Sequence, residues 1–308
     1  MTHVPTLRLG EFTHGTPTER IAFETALMAG LTRFGFIILT DHGIPVPLIE
    51  RAYALAAELF AWDDPTKHRY AKGMRGYTPF GTEHARDSML PDLKEFWQIG
   101  RETAPAGAPD GDFPPNVWPE SAPEFHRTFV DLFAALDTAG RELLSALAPR
   151  LGLPPGAFDP MVRDGTSILR VLHYPPIPGD APEGAVRSAA HEDINFLTLL
   201  VAAKGAGLQL LDRDGRWLPI ETDPTNLIVD SGDMMQRLTG GIIPSTTHRV
   251  VNPSGPNVSR YSMPFFMHPA SHISLATLPS CIDGPKVQPP ISAGDFLSQR
   301  LREIGLAV

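Results

Sequence analysis

The stretch SAAHEDINFLTLL, residues 188–200, places His191 and Asp193 one residue apart at the head of an apolar run. Polar groups facing a core are costly unless something pairs with them. Read as a strand, alternating side chains turn His191 and Asp193 to one face, so one imidazole and one carboxylate address a single cation. A third ligand must then come from another strand. His248, in STTHRVV, lies well downstream in a strand-like segment and is the candidate.

Two histidines and one carboxylate occupy one face of a metal and leave its other positions open, the ligand set of non-haem Fe(II) oxygenases. Zinc accepts the same donors, so the ligands alone do not select the metal. The plainer alternative is three unrelated polar residues, each satisfied locally.

Working outward from this stretch, the texture of the chain changes near residue 166. Beyond it the runs are short and β-rich: SILRVLHYPP, NFLTLLVAA, GLQLLDRDGRW, NLIVDSGDMMQRLTGG, STTHRVVNP and SRYSMPFFMHP, with DRDG as a hairpin turn. That spacing predicts a sandwich or barrel. Ser231, Gly232 and Asp233 are read as shaping a bend between strands.

Upstream the periodicity is helical. PTERIAFETALMAGLTRFG carries Ile21, Ala22, Leu27, Met28 and Leu31 at helical spacing, with Thr18 as N-cap and Gly35 as stop. FIIL reads as a short buried strand ended by TDHGIP, where Asp41 and His42 form a turn. Two further helices are predicted in PVPLIERAYALAAELFAW and in APEFHRTFVDLFAALDTAGRELLSALAPRLG, the latter ended by Gly152 and Pro154. Between them KEFWQIG is strand-like, and Lys94, Glu95 and Trp97 are assigned to packing, against the alternative that the inner face of this strand borders the pocket. The chain divides at residues 1–165, helical with flanking strands and substrate-side loops, and 166–308, the β core, as one integrated unit.

Composition narrows the function. The net charge of −9 leaves no basic footprint for nucleic acid, and no apolar run approaches the ~18 residues that span a bilayer. The N-terminal MTHVPTLRLGEFTHG has no basic segment followed by an apolar one, as a secretory signal would. The lone cysteine, Cys281, excludes an internal disulfide and fits a reducing compartment. The expectation is a cytoplasmic protein with a small-molecule substrate, no nucleic-acid or membrane partner, and an oligomeric state the sequence leaves open.

SRYSMPFF supplies a second constellation. Arg260 and Ser262 share a face if the segment is a strand, and they follow His248 closely enough for the next strand of a hairpin. A guanidinium beside a hydroxyl suits a carboxylate. The alternative, a surface arginine on an edge strand, sits poorly beside the apolar MPFF.

Taken together, HEDINFLTLL, GLQLLDRDGRWLPI, SGDMMQRLTGG, STTHRVVNP and RYSMPFF resemble the iron- and 2-oxoglutarate-dependent oxygenases of the isopenicillin N synthase-like family. GFIILTDHGIP and RGYTPFGTEHARDSMLPDLKEFW extend the likeness, the second toward bacterial members. The resemblance implies a mainly β fold with flanking helices, a double-stranded β-helix (jelly-roll) core behind a helical N-terminal region. It implies Fe(2+) held by His191, Asp193 and His248, with 2-oxoglutarate and O2 as co-substrates. Arg260 and Ser262 would hold the distal carboxylate of 2-oxoglutarate. Tyr174 would donate to the same co-substrate, or would serve simply as a core tyrosine before the Pro-Pro turn. Leu172 and His173 replace the family's asparagine and first tyrosine, so any co-substrate contact from that asparagine is lost.

The implied activity is oxidation, by default hydroxylation, of a small organic molecule with release of succinate and CO2. Tyr77, Phe80, Phe96, Phe196 and Phe266 are candidates for an apolar substrate wall, against the reading that they are core. Arg75 and Arg86 are candidates to meet an anion, against solvated surface charge. Three alternatives stand beside this: an isopenicillin N synthase-type oxidase that uses no 2-oxoglutarate, a non-catalytic receptor on the same fold, and a zinc hydrolase, which would leave Arg260 and Ser262 without a task.

Overall fold

The computed structural model describes residues 3–84, 90–203 and 205–303. In chain order the N-terminal part gives β1 (Thr6–Arg8), α1 (Leu9–Thr13), α2 (Pro17–Phe34), β2 (Phe36–Thr40), α3 (Val46–Phe60), α4 (Asp64–His68), β3 (Gly76–Thr78), β4 (Glu95–Gly100), α5 (Pro123–Leu147) and α6 (Asp159–Val162). The rest follows as β5 (Ile168–Tyr174), β6 (Ser188–His191), β7 (Leu197–Val201), β8 (Leu208–Leu211), β9 (Trp217–Pro219), β10 (Leu227–Ser231), α7 (Asp233–Leu238), β11 (His248–Val250), β12 (Arg260–Met267) and α8 (Ala293–Glu303).

The strands form two sheets. The larger runs β1-β2-β10-β7-β12-β5-β4-β3, and the smaller runs β6-β11-β8-β9. All pairings are antiparallel except β1 with β2. The architecture is mainly β with flanking helices, two facing sheets of the double-stranded β-helix type.

Alternation along the strands gives the larger sheet two different faces. Leu197, Leu199, Val201, Leu227, Val229, Met263, Phe265 and Met267 turn one way and join the core with α2, α3 and α5. Helix α5 buries Phe125, Phe129, Leu132, Phe133 and Leu136 against it, each contributing roughly 1.5–3 kcal/mol. Leu172, Tyr174 and Ile228 turn the other way, into a smaller cluster with Leu208, Leu210 and Val250 of the second sheet. The site lies on that second face, between the sheets.

Local signals explain the helix ends. Thr16, not Thr18, caps α2: its hydroxyl accepts from the Glu19 N–H, and the Glu19 carboxylate accepts from the Thr16 N–H. Pro17 then starts the helix, where its missing N–H costs nothing. The buried face is Phe23, Leu27, Gly30, Leu31 and Phe34, while Ile21 stays exposed. Gly35 ends the helix with φ 67°, and a Cβ there would collide with Thr246 Oγ1. Glycine is needed for both reasons.

Three further sequence readings change. Strand β6 ends at His191, so Asp193 stands on the connection from β6 to β7 and not on a strand with His191. Strands β11 and β12 belong to different sheets, so His248 and Arg260 are not on a hairpin. Residues 231–233 make no simple bend: β10 ends at Ser231 and Asp233 opens α7, its carboxylate paired with Arg300 at 2.8 Å.

Candidate metal and co-substrate site

His191 ends β6, and His248 begins β11 directly opposite it in the smaller sheet. The two rings stand 4.4 Å apart between centroids. Each Nδ1 meets a backbone carbonyl, that of Ala189 at 2.8 Å and that of Thr246 at 3.1 Å. A carbonyl only accepts, so Nδ1 carries the proton in both rings and Nε2 is left as the ligating nitrogen.

Asp193 reaches the same point from the loop. Its Oδ1 lies 3.8 Å from His191 Nε2 and 3.9 Å from His248 Nε2. The three offered ligand atoms all fall within 4.8 Å of one another. The loop is held by its backbone: the N–H groups of Asp233 and Met234 donate to the carbonyls of Asp193 and Ile194 at 2.8 and 3.1 Å. Gly232 permits this approach, because a Cβ there would collide with the Asn195 carbonyl. Thr198 donates its hydroxyl to Asp193 Oδ2, and Asn195 donates to Thr198 Oγ1 at 3.0 Å.

This donor set fits a divalent cation. Burial, and then the neighbouring His248, push His191 down to about 4, so its imidazole is neutral at physiological pH even though a third of its side chain opens to the cavity. Asp230, opposite Thr198 in the register, has its carboxyl raised well above the usual range by burial and by the Asp193 charge.

Arg260 begins β12, opposite Tyr174 at the end of β5. Its guanidinium lies 5.1 Å over the Tyr174 ring, and Nη1 donates to Ser262 Oγ at 3.5 Å. The residue is 3% exposed and its Nε has no hydrogen-bond partner. Burial lowers its pKa. A buried guanidinium without a carboxylate is waiting for an anion.

One cavity unites these groups. It encloses about 620 Å³, its open mouth included, and is lined among others by Tyr174, His191, Asp193, His248, Arg260, Ser262 and Phe266. A second, open cleft between α5 and α6, lined by Arg141, Glu142, Asp159 and Arg163, shares no residue with it.

The other sequence candidates separate. Phe96 does not line the cavity but supports Arg170, whose guanidinium lies 4.4 Å over its ring. Tyr77 belongs to the other face of the sheet, where its hydroxyl donates to Glu95. Phe196 is fully buried against Phe158 in the core, and Phe80 is exposed. Arg75 is buried, not surface charge, at 5% exposure. Arg86 lies outside the described residues.

Sequence reasoning passed over Arg170, and for Lys94 the alternative of a place beside the pocket holds over packing. Both line the cavity. The signal for Arg170 was available: it stands four residues before Tyr174 in an apolar strand and therefore on the same face.

Comparison with known proteins places the chain. Residues 165–269 match the 2OG-Fe(II) oxygenase superfamily, and residues 4–121 match the N-terminal region of the non-haem dioxygenases in morphine synthesis. The chain is 33% identical to the 2-oxoglutarate-Fe(II) type oxidoreductase hxnY of Emericella nidulans, over 85% of this chain and 79% of hxnY. A crystal structure of a 2OG-Fe(II) oxygenase family protein from Caulobacter crescentus superposes with a TM-score of 0.88 at 40% identity, over 99% and 100% of the two chains. A full-length protein of Neurospora crassa, solved in complex with alpha-KG (2-oxoglutarate), superposes at 0.85 with 28% identity, over 96% and 95%. The chain belongs to the 2OG-Fe(II) oxygenase superfamily. It is a 2-oxoglutarate-dependent oxidoreductase whose cofactors are Fe(2+) and 2-oxoglutarate.

Proposed function

We propose that this protein is a member of the isopenicillin N synthase-like branch, of bacterial origin and cytoplasmic, that hydroxylates a small organic molecule. His191, Asp193 and His248 hold Fe(II). Arg260, Ser262 and Tyr174 hold 2-oxoglutarate. The reading is carried by one observation: the His–Asp–His cluster shares a cavity with a buried guanidinium that no protein carboxylate neutralises among the described residues. The 40% identity to the Caulobacter crescentus protein supports the bacterial reading. The placing of β2 and β4 in the same sheet as β5, β7, β10 and β12 supports a single unit from segments 1–165 and 166–308.

The chain's own contribution is binding and exclusion. Nδ1–H donation to backbone carbonyls aims both imidazoles. Thr198 holds one Asp193 oxygen and leaves the other free to ligate. Arg260 neutralises the distal carboxylate while Ser262 and the Tyr174 ring fix its plane. Leu172, Leu200, Leu208 and Val250 keep the cavity water-poor. Bound Fe(II), with 2-oxoglutarate and O2, supplies the oxidising power that converts the co-substrate to succinate and CO2 and oxidises a substrate C–H bond.

Anaerobic titration of 2-oxoglutarate into the Fe(II)-loaded protein tests this without a known substrate. A saturable visible charge-transfer band is expected. Arg260→Ala should weaken 2-oxoglutarate binding by about 10²-fold or more, since truncating one partner of a buried charge pair costs roughly 2–5 kcal/mol. Bound iron with no band sinks the 2-oxoglutarate sites. O2 uptake without succinate would favour the oxidase.

A further inference from the structure

The chain beyond β12 closes on one short helix, α7. The Leu278 N–H donates to the Leu238 carbonyl at 2.9 Å, and the Lys286 N–H donates to the Gly240 carbonyl at 2.7 Å. Arg237 donates to Gln288 and to the Pro289 carbonyl, and its guanidinium lies 5.4 Å from the Phe296 ring of α8. One turn further along α8, Arg300 pairs with the Asp233 carboxylate at 2.8 Å and with Glu303 at 2.7 Å. Helix α8 is itself moored at its start. The N–H groups of Ala293 and Gly294 donate to the carbonyls of Ile273 and Ser271, both at 2.8 Å.

The other side of α7 faces the candidate ligands. Asp193 stands past the end of β6 and has no strand to hold it, so its place depends on the bonds from Asp233 and Met234. Ser245 adds a hydroxyl bond to the same Asp193 carbonyl at 3.4 Å. The Ser245 N–H donates to Gln236 Oε1 at 3.2 Å, and Lys286 Nζ donates to that oxygen at 2.9 Å. The next residue, Thr246, offers the carbonyl that aims His248. Two routes therefore lead inward from the C-terminal segment. One runs from Arg300 through Asp233 to Asp193, and the other from Lys286 through Gln236 and Ser245 toward Asp193 and His248.

The first route turns on a charge pair drawn out of water, with side chains 17% and 8% exposed. Neither partner lines the cavity, so neither meets a bound molecule there. Without the guanidinium, a carboxylate this buried recovers free energy only by turning toward water. The turn of backbone that carries it also carries the N–H that holds the Asp193 carbonyl.

We infer that Arg300 is a positioning residue for the metal ligands: through its pair with Asp233, the C-terminal helix α8 fixes α7 and thereby the Asp193 carboxylate. The inference rests on the reading of His191, Asp193 and His248 as metal ligands.

Co(II) is the probe, since it takes the same imidazole and carboxylate donors and its visible bands report both occupancy and ligand arrangement. It is titrated anaerobically into the full chain. Arg300→Gln should weaken Co(II) binding about tenfold and shift the bands, as loss of an outer partner does. Asp233→Asn keeps the shape without the charge and should do the same. The double variant should lose no more than either single one, because both cut one link. Arg300→Lys keeps the charge and should recover all but about threefold; should Arg300→Gln not fold, that smaller loss with shifted bands is the test. Arg302→Gln, exposed on the same helix, should bind Co(II) as the parent does.

The metal-free denaturation midpoint is read beside each titration. A lower midpoint with unchanged Co(II) affinity and bands would make the pair a structural bridge only and overturn the inference. Additive losses in the double variant, no recovery in Arg300→Lys, or an equal loss in Arg302→Gln would overturn it too. A parent chain that binds no Co(II) would instead overturn the metal-site reading.

Discussion

Glu95 and Arg260 are both 3% exposed and both charged, yet they stand on opposite faces of one sheet and live differently. On the helix side, Glu95 accepts from Lys67 Nζ at 2.8 Å, from the Tyr77 hydroxyl, and from His173 Nδ1 at 2.7 Å. His173 in turn meets Ser259 at 3.0 Å and stacks on Tyr261 at 4.7 Å. Burial alone would raise the Glu95 carboxyl, but bonds from His173, Lys67 and Tyr77 hold it below its usual range. On the cavity side, Arg260 has a hydroxyl, an aromatic face and an unpartnered Nε. The neighbouring Arg187, equally buried, donates to the Val258 carbonyl and also leaves Nε bare. A fully partnered buried charge holds the fold together. Arg260, a buried charge left bare on the cavity wall, is open to a ligand.

The sharpest way to break that contrast is to neutralise each group in turn. Glu95→Leu should destabilise the protein by about 3–5 kcal/mol, because it takes the buried partner from Lys67 and His173 and leaves Lys67 only the exposed Asp64 at 3.0 Å. Arg260→Leu should leave the ligand-free protein as stable as the parent or more so, because it removes an uncompensated cation. Chemical denaturation of both ligand-free variants checks the pair. An Arg260→Leu variant as unstable as Glu95→Leu would erase the distinction between the two faces.

A smaller effect tests a buried group just past the cavity strand through pH. His268 follows the end of β12 and is 7% exposed, and its ring meets only the Phe266 carbonyl, at 3.1 Å, as a hydrogen-bond partner among the described residues. Burial first brings its pKa from 6.5 down to about 4. With the folded value below the unfolded one, the unfolded chain takes up the proton first. Stability from this residue is complete above about pH 6.5 and is lost as pH falls toward 4. The total is of order 3 kcal/mol at most. His268→Gln should flatten that limb of the stability curve, read from denaturation midpoints between pH 7 and 4; an unchanged limb would mean that other groups set it.

The smallest effect lies far from the site. Thr16→Ala removes the cap of α2 and should cost about 1 kcal/mol with no change in 2-oxoglutarate affinity. A thermal melt and a 2-oxoglutarate titration on the same sample separate the two. A loss of affinity would mean that α2, through Gly35 and Thr246, feeds strain into the strand of His248.

How much was legible in advance depends on how far each relation runs along the chain. His191, Asp193, His248, Arg260, Ser262 and Tyr174 were named from residue type, order and resemblance. Helix α5 and the stop at Gly35 followed from periodicity and glycine. The geometry behind the ligands was read wrongly, because a pleat of period two was assumed to carry through Glu192. In fact β6 ends, and the chain crosses to the other sheet with Asp193 on the crossing. Tyr77 and Phe196 were grouped with Phe266 because aromatic residues look alike in a sequence, which does not say which face of a strand is buried in core and which lines a cavity.

Residue types, short spacings and the family resemblance therefore pointed to the chemistry proposed here, a candidate metal triad and a candidate carboxylate clamp, and to a β-rich frame with helices ahead of it. These depend on residue types and short spacings that any folded form of the chain must respect. Only the tertiary structure decided which polar residues share a cavity. Arg170 meets Glu83, Phe96 and Phe266 because β4, β5 and β12 lie side by side in one register. That register is set by burying both faces of the sheet at once, a condition no local stretch of sequence contains.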